Sequence, residues 1–256
     1  MTILVILTHQ NNTLSFLLGI NGRVVDKEKK EMVICPFCGW AGNKFYDHPA
    51  PNARANAFCP KCTSKERHRL LYLYLRRETS LLSYGAKPLR HVLEVGPEKC
   101  LEILFRKIKP SWEYFSLDIR APQASIKGDI QDTTLLSEIF DMIICYHVLE
   151  HVADDAKALK EMYRLLKPGC SAYIHFPVKG AVTTEDITVT DPREREHKFG
   201  QNDHVRQYGW DFPERIKAAG FTVGLNFYAE ELYHTNRDLF TKYGLMRGDF
   251  VCRCIK

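Results

Sequence analysis

His91-Val92-Leu93-Glu94-Val95, the turn Gly96-Pro97-Glu98, a helical stretch, and then Tyr114-Phe115-Ser116-Leu117-Asp118 set the architecture of the chain. A strand ending in an acid and a glycine, followed about twenty residues later by a second strand ending in an acid, is how an open α/β sheet builds a nucleotide pocket. The first turn brings backbone close to a ligand, and the second strand's acid accepts hydrogen bonds from ribose hydroxyls. The stretch therefore predicts an adenosine-containing cofactor.

Further along, Phe140-Asp141-Met142-Ile143-Ile144-Cys145-Tyr146-His147-Val148-Leu149-Glu150-His151 leads into a helix over Asp154 to Lys167, then Leu166-Lys167-Pro168-Gly169 and a strand from Ser171 to Val178. The helix places Ala156, Leu159, Met162, Tyr163 and Leu166 at the spacing of a core-packing stripe. Asp141 to Tyr146 is apolar enough to be buried on both faces. Together with Glu94-Val95-Gly96, this string resembles the class I S-adenosylmethionine-dependent methyltransferases, the type 11 group in particular, over roughly residues 90 to 180.

That resemblance implies an α/β fold over 80–256: a Rossmann-like methyltransferase sheet, mostly parallel, with an antiparallel last strand over Phe250 to Ile255. It also implies S-adenosyl-L-methionine as cofactor. The residues it assigns to that cofactor are Glu94, Gly96 and Glu98 in the first turn, Asp118 and Ile119 at the ribose, Asp129 and Ile130 near the adenine, and Tyr146 at the end of the fourth strand. Where the family pattern is E-x-G-x-G-x-G, this chain reads Glu94, Gly96, Glu98, Cys100, so one glycine of the loop remains. Glu94 and Glu98 can offset the charge of a cationic cofactor that has no pyrophosphate to cradle.

Nine cysteines are present, and four form Cys35-Pro-Phe-Cys38 and Cys59-Pro-Lys-Cys62, with twenty residues between the pairs. Such paired C-x-x-C knuckles predict a four-thiolate zinc ribbon over 31–79, with a reduced, cytoplasmic setting. A closed four-sulfur site folds its segment and does no chemistry. Cys100, Cys145, Cys170, Cys252 and Cys254 read as small buried hydrophobes. Thr63-Ser64-Lys65-Glu66 has the form of a capping box opening a helix to about Glu78, whose apolar surface suits a strut between ribbon and sheet. Its basic start, Lys65-Arg67-His68-Arg69, is either an anion-facing cluster or a solvated helix turn. The run Cys59-Pro-x-Cys-x-Ser-x-Glu-Arg-His-Arg69 resembles the leading segment of bacterial methyltransferases of surface-polysaccharide and secondary-metabolite loci.

Ile3 to Leu7 and Leu14 to Ile20 are apolar but short of the ~20 residues that span a bilayer, so 1–30 reads as a pair of short strands or an extension. Ser80 to Arg90, with Gly85 and Pro88, reads as the linker, and Pro110 as the stop of the helix from Glu98. Between Lys179 and Tyr208 lies the longest polar, irregular stretch, which reads as a lid that contacts substrate or, alternatively, as a solvated loop. Asp203, His204, Arg206 and Tyr208 combine a base, an anion-binding fork and an aromatic wall. His204 is the favoured base, His147 the second choice, and Arg206 the group that fixes an anionic or sugar-nucleotide substrate. His175 is divided between the site and a bonded place in the sheet.

At 256 residues, 45% hydrophobic and 26% charged, with a formal net charge of +5, the chain has room for one α/β domain and a small appendage. That charge permits anionic substrates without demanding nucleic acid. Three functions are compatible with it: methyl transfer to an oxygen or nitrogen of a small polar metabolite such as a sugar or sugar-linked intermediate, an RNA methyltransferase using the ribbon as a clamp, and a catalytically silent zinc-ribbon scaffold.

Overall fold

The computed structural model describes residues 4–9, 12–17, 32–49, 53–78, 90–108 and 112–256. Two units result, Met1–Met32 and Val33–Lys256. In the first, β1 (Leu4–His9) and β2 (Asn12–Leu17) pair as an antiparallel hairpin, in agreement with the pair of short strands expected there. Most of the linker expected at Ser80 to Arg90, and Pro110, lie outside the described residues.

The second unit begins with two small hairpins, β3 (Val33–Ile34) with β4 (Ala41–Gly42) and β5 (Tyr46–His48) with β6 (Arg54–Phe58). Each cysteine pair closes a knuckle. The Gly39 N–H donates to Cys35 O at 2.9 Å and the Thr63 N–H to Cys59 O at 2.9 Å. Both residues are left-handed, with φ of 71° and 62°. Gly39 adopts that conformation freely, whereas threonine rarely does. Helix α1 (Glu66–Glu78) follows directly. The expected capping box does not form, because the Thr63 hydroxyl donates to Cys62 O at 2.6 Å and the Glu66 carboxylate is held by Arg54 at 2.6 Å; the Ser64 hydroxyl turns inward, 3.2 Å from Cys35 Sγ and 3.4 Å from Cys62 Sγ.

The central sheet is built from β7 (Arg90–Val95), β8 (Trp112–Asp118), β9 (Ile126–Lys127), β10 (Phe140–Tyr146) and β11 (Leu166–His175), joined by α2 (Lys99–Lys107) and α3 (Asp155–Leu165). Then come β12 (Thr184–Glu185), α4 (Pro192–Phe199), β13 (Arg206–Gln207), α5 (Phe212–Ala218), β14 (Thr222–Asn226), α6 (Tyr228–Thr235), α7 (Arg237–Lys242) and β15 (Val251–Ile255). The seven sheet strands lie in the order β14-β15-β11-β10-β7-β8-β9. Pairing is parallel except at β15, which runs antiparallel to both β11 and β14, as expected of the last strand.

Alternation along the strands feeds two cores. Met142, Ile144 and Tyr146 of β10 join Leu70, Leu71 and Leu75 of α1, Leu101 and Phe105 of α2, and Phe37 and Phe45 of the ribbon. Ile143 and Cys145 face the other way, toward Leu159 and Met162 of α3 and Phe212 and Ile216 of α5. Helix α1 thus acts as the expected strut, each buried leucine contributing about 2 kcal/mol. Helix α3 turns differently from the stripe read in sequence. Ala156 is exposed, while Ala158 and Leu165 are buried and Leu166 already opens β11.

Arg69, fully buried, makes neither an anion-facing cluster nor a solvated turn. Its guanidinium donates to the carbonyls of Asn56 and Ala57 in the ribbon, Ser64 before α1, and Tyr243 and Gly244 after α7, at 2.6 to 3.3 Å, and lies 4.1 Å from the Phe45 ring centroid. Removing it strands five acceptors. Arg69→Met should destabilise by on the order of 3 kcal/mol, lowering the midpoint of a circular-dichroism melt by roughly 10 °C. An unchanged midpoint would show that these five hydrogen bonds contribute nothing to stability.

Candidate active site

All the parallel strands of the sheet end at one edge, where open α/β sheets bind their ligands. A cleft of about 1660 Å³ opens there. Gly96, Glu98, Asp118, Ile119, Asp129, Ile130 and Tyr146 all line it, as do His147 and His204. Its opposite walls come from the ribbon, through His48 and Arg54, and from the lid stretch, through Arg195, Phe199 and Asp203.

Gly96 turns the chain with φ 72°, and a Cβ there would stand 2.6 Å from Val148 Cγ2, so the glycine is required. Glu94 was expected at the cofactor but does not line the cleft. It is buried, and its carboxylate accepts from the Glu98 N–H at 2.7 Å and the Tyr114 hydroxyl at 2.5 Å. The acid therefore closes the turn from beneath, and the missing glycines are not needed to hold its path. Burial pushes the Glu94 carboxyl up to about 8 despite these two donors. Glu98 does reach the cleft, paired with Arg67 at 2.9 Å and Lys65 at 3.6 Å.

Asp118 ends β8 and accepts on Oδ1 from the Arg120 and Ala121 N–H groups at 2.6 and 2.7 Å, which fixes the carboxylate. Asp129 is held similarly by the Gln131 backbone and side-chain amides, at 2.9 and 2.8 Å. The Tyr146 hydroxyl is buried with no hydrogen-bond partner.

His147 follows β10 with φ 56°, a strained conformation of the kind found at functional sites. Its N–H donates to His175 O at 2.7 Å. The side chains form a file: Asp249 Oδ1 is 2.8 Å from His175 Nε2, His175 Nδ1 is 3.3 Å from His147 Nε2, and His147 Nδ1 is 3.2 Å from Glu150 Oε1. Burial first, then the charge of Arg67, holds His147 well below the ordinary imidazole value. His175 therefore both ends its strand and belongs to the site. Sequence reading missed Asp249. The available signal was the antiparallel last strand, which brings the residues just before it to the edge where the parallel strands end.

The lid stretch is more ordered than its polarity suggests. Strands β12 and β13 pair, and α4 lies between them, capped by Asp191 Oδ1 accepting from the Arg193 and Glu194 N–H groups. His204 lies at the cleft, Nδ1 3.0 Å from Phe199 O and Nε2 buried without a partner. Burial lowers its pKa as well. Arg206 does not reach the cleft. Only 2% exposed, it donates to the carbonyls of Leu149, Val152 and Ala153 and pairs with Glu185 at 3.1 Å, so four of its five N–H groups are spent inside the fold. Tyr208 is likewise structural, stacked on Phe176 at 3.7 Å with its hydroxyl on Asp155 at 2.6 Å. Asp203 is at the cleft, 3.2 Å from His151 Nδ1.

Cys35, Cys38, Cys59 and Cys62 bring one sulfur each within 4.8 Å of one another and can hold a metal ion. Among the described residues no helix is long and apolar enough to cross a membrane.

Residues 97–174 match the family model for a methyltransferase domain. No curated protein sequence matches the chain. Similar solved structures include a SAM-dependent methyltransferase from Archaeoglobus fulgidus, 16% identical over 77% of this chain and 96% of that chain, with a TM-score of 0.46. Another from Mesorhizobium loti is 14% identical over 72% and 95%, with a TM-score of 0.43. The YcgJ protein from Bacillus subtilis is 12% identical over 69% and 96%, also at 0.43.

Because the folded-state value of Glu94 is raised from 4.5 to about 8, the native state keeps a proton that the unfolded chain has released between those limits. The contribution of Glu94 is therefore whole below about pH 4.5, declines as pH rises, and levels off above about 8. In urea titrations across this range, the stability difference between wild type and Glu94→Gln should move against wild type with rising pH. A difference independent of pH would mean that Glu94 is ionised in the fold.

Proposed function

We propose that this S-adenosylmethionine-dependent methyltransferase methylates an oxygen, or a nitrogen, of a small polar metabolite, with a sugar, sugar-linked intermediate or nucleotide-sugar as the leading class. The make-up of the cleft carries this reading. Lys65, Arg67, Lys179 and Arg195 share its walls with Asp118, Asp129, Glu196 and Asp203. Mixed charge of this kind suits a ligand with many hydroxyls and an anionic end, whereas RNA calls for a continuous basic track.

The residues present fit the cofactor. Asp118 keeps Oδ2 for a ribose diol, Asp129 and Ile130 stand where the adenine is expected, and Gly96, Glu98 and Tyr146 line the wall between. The bound cofactor supplies a methyl group activated on sulfur. The protein's part is to hold the acceptor in line and to exclude water, which is where most of the rate in such a displacement arises. A hydroxyl acceptor also gives up a proton, and His147 and His204 are the candidates to receive it, both held neutral by burial. The file from Asp249 through His175 orients His147. Arg206 acts through position, fastening the lid strand beneath the cleft.

Cys35, Cys38, Cys59 and Cys62 are assigned to a structural zinc ion, with the Ser64 hydroxyl beside two of the sulfurs. Four thiolates leave no open coordination position, so this metal holds the ribbon wall of the cleft and takes no part in reaction.

Calorimetric titration of zinc-loaded protein should show binding of S-adenosylhomocysteine, weakened at least about tenfold by Asp118→Ala, since a lost charged hydrogen bond costs about 1.5–3 kcal/mol. Methyl transfer from labelled cofactor should then appear with sugar nucleotides and not with RNA. Transfer to RNA alone would reverse the acceptor assignment, and absence of cofactor binding by folded protein would remove the enzyme reading. Chelation that strips zinc should abolish acceptor methylation together with the ellipticity of the ribbon. Activity that survives complete zinc loss would sink the structural role of the metal.

A further inference from the structure

Behind the lid, Glu150, His151 and His204 each present one metal-ligating atom, and these atoms lie within 4.8 Å of one another. The Glu150 carboxylate is 1% exposed, and neither oxygen accepts a hydrogen bond; the neutral His147 ring lies beside it, with Nδ1 at 3.2 Å from Oε1. An unsatisfied buried carboxylate is costly unless a cation shares its space. His204, 3% exposed, leaves Nε2 without a partner.

Each imidazole has its other nitrogen engaged. His204 Nδ1 is 3.0 Å from Phe199 O, and His151 Nδ1 is 3.2 Å from Asp203 Oδ2. Carbonyl and carboxylate partners of this sort fix ring orientation and tautomer in metal-ligating histidines. The cluster is also braced. Arg206 grips the carbonyls of Leu149, Val152 and Ala153, and the Val205 N–H donates to Glu150 O at 2.9 Å, which brings the lid residue His204 to the Glu150-His151 pair.

We infer that Glu150, His151 and His204 form a second metal site, separate from the cysteines, for a divalent transition ion that prefers nitrogen and oxygen ligands. Two imidazoles and one carboxylate leave coordination positions open, and His151 and His204 line the cleft, so those positions face the acceptor. The site would take two neighbouring oxygens of a polyol or sugar. His204 is then a ligand, so its Nε2 lone pair is not the one that receives the acceptor's proton. The ion's role in catalysis rests on the methyl-transfer reading; its binding does not.

The test is a Co²⁺ titration of full-length protein carrying zinc on its cysteines. One equivalent should bind with visible d–d bands and without thiolate charge-transfer absorption. Glu150→Gln and His151→Ala, the latter at an exposed position, should each weaken binding about tenfold or more. Wild type that binds no cobalt, binds it only through thiolate, or binds it as tightly as both variants do overturns the inference. S-adenosylhomocysteine titrations of the same samples keep the two readings apart, since cobalt binding without cofactor binding would end the functional assignment and leave the metal site standing.

Discussion

Backbone that leaves regular secondary structure inside a protein must still find donors for its carbonyl groups, and here two buried guanidinium groups supply them. Arg69 gathers five carbonyls from the ribbon, the start of α1 and the end of α7. Arg206 gathers three from the loop after β10. Both make irregular segments behave as rigid walls, and between those walls lies the cleft. A lysine at either position, with a single ammonium and no planar fork, would serve fewer acceptors.

The second constraint is electrostatic. His68, His147 and His204 all have their pKa values lowered chiefly by burial, with Arg67 and Lys65 adding to the effect at the first two. Neutral imidazoles retain a lone pair, and a lone pair is what proton acceptance and metal ligation both require. The carboxylates nearby differ in how they are satisfied. Asp249 is bonded to His175, while Glu150 is left bare.

Much of this was legible in the sequence. The alternation that buries β10 on both faces, the acid ending β8, the cysteine spacing and the order of elements from β7 to β15 are properties of short stretches, and short stretches are what a sequence displays. Direction was not legible. Arg206 and His204 are two residues apart in the same polar run, yet one turns into the backbone and the other to the cleft. That choice depends on the loop after β10, more than fifty residues earlier in the chain. Glu94 was read as a cofactor ligand because its place on the strand is right, but the contact with Tyr114 that turns it beneath the loop comes from the neighbouring strand. Asp249 escaped notice because an antiparallel strand inverts which of its ends reaches the site.

The ribbon's hairpins lend His48 and Arg54 to the wall facing the turn at Gly96, and these two sides of the cleft are encoded about forty residues apart. Substitutions at His48, Ala53 or Arg54 can reshape this wall without touching Gly96, Asp118 or Asp129. Such a division leaves the scaffold open to change on one side: the wall built by the small cysteine-bearing segment can vary while the wall at Gly96, Asp118 and Asp129 stays as it is.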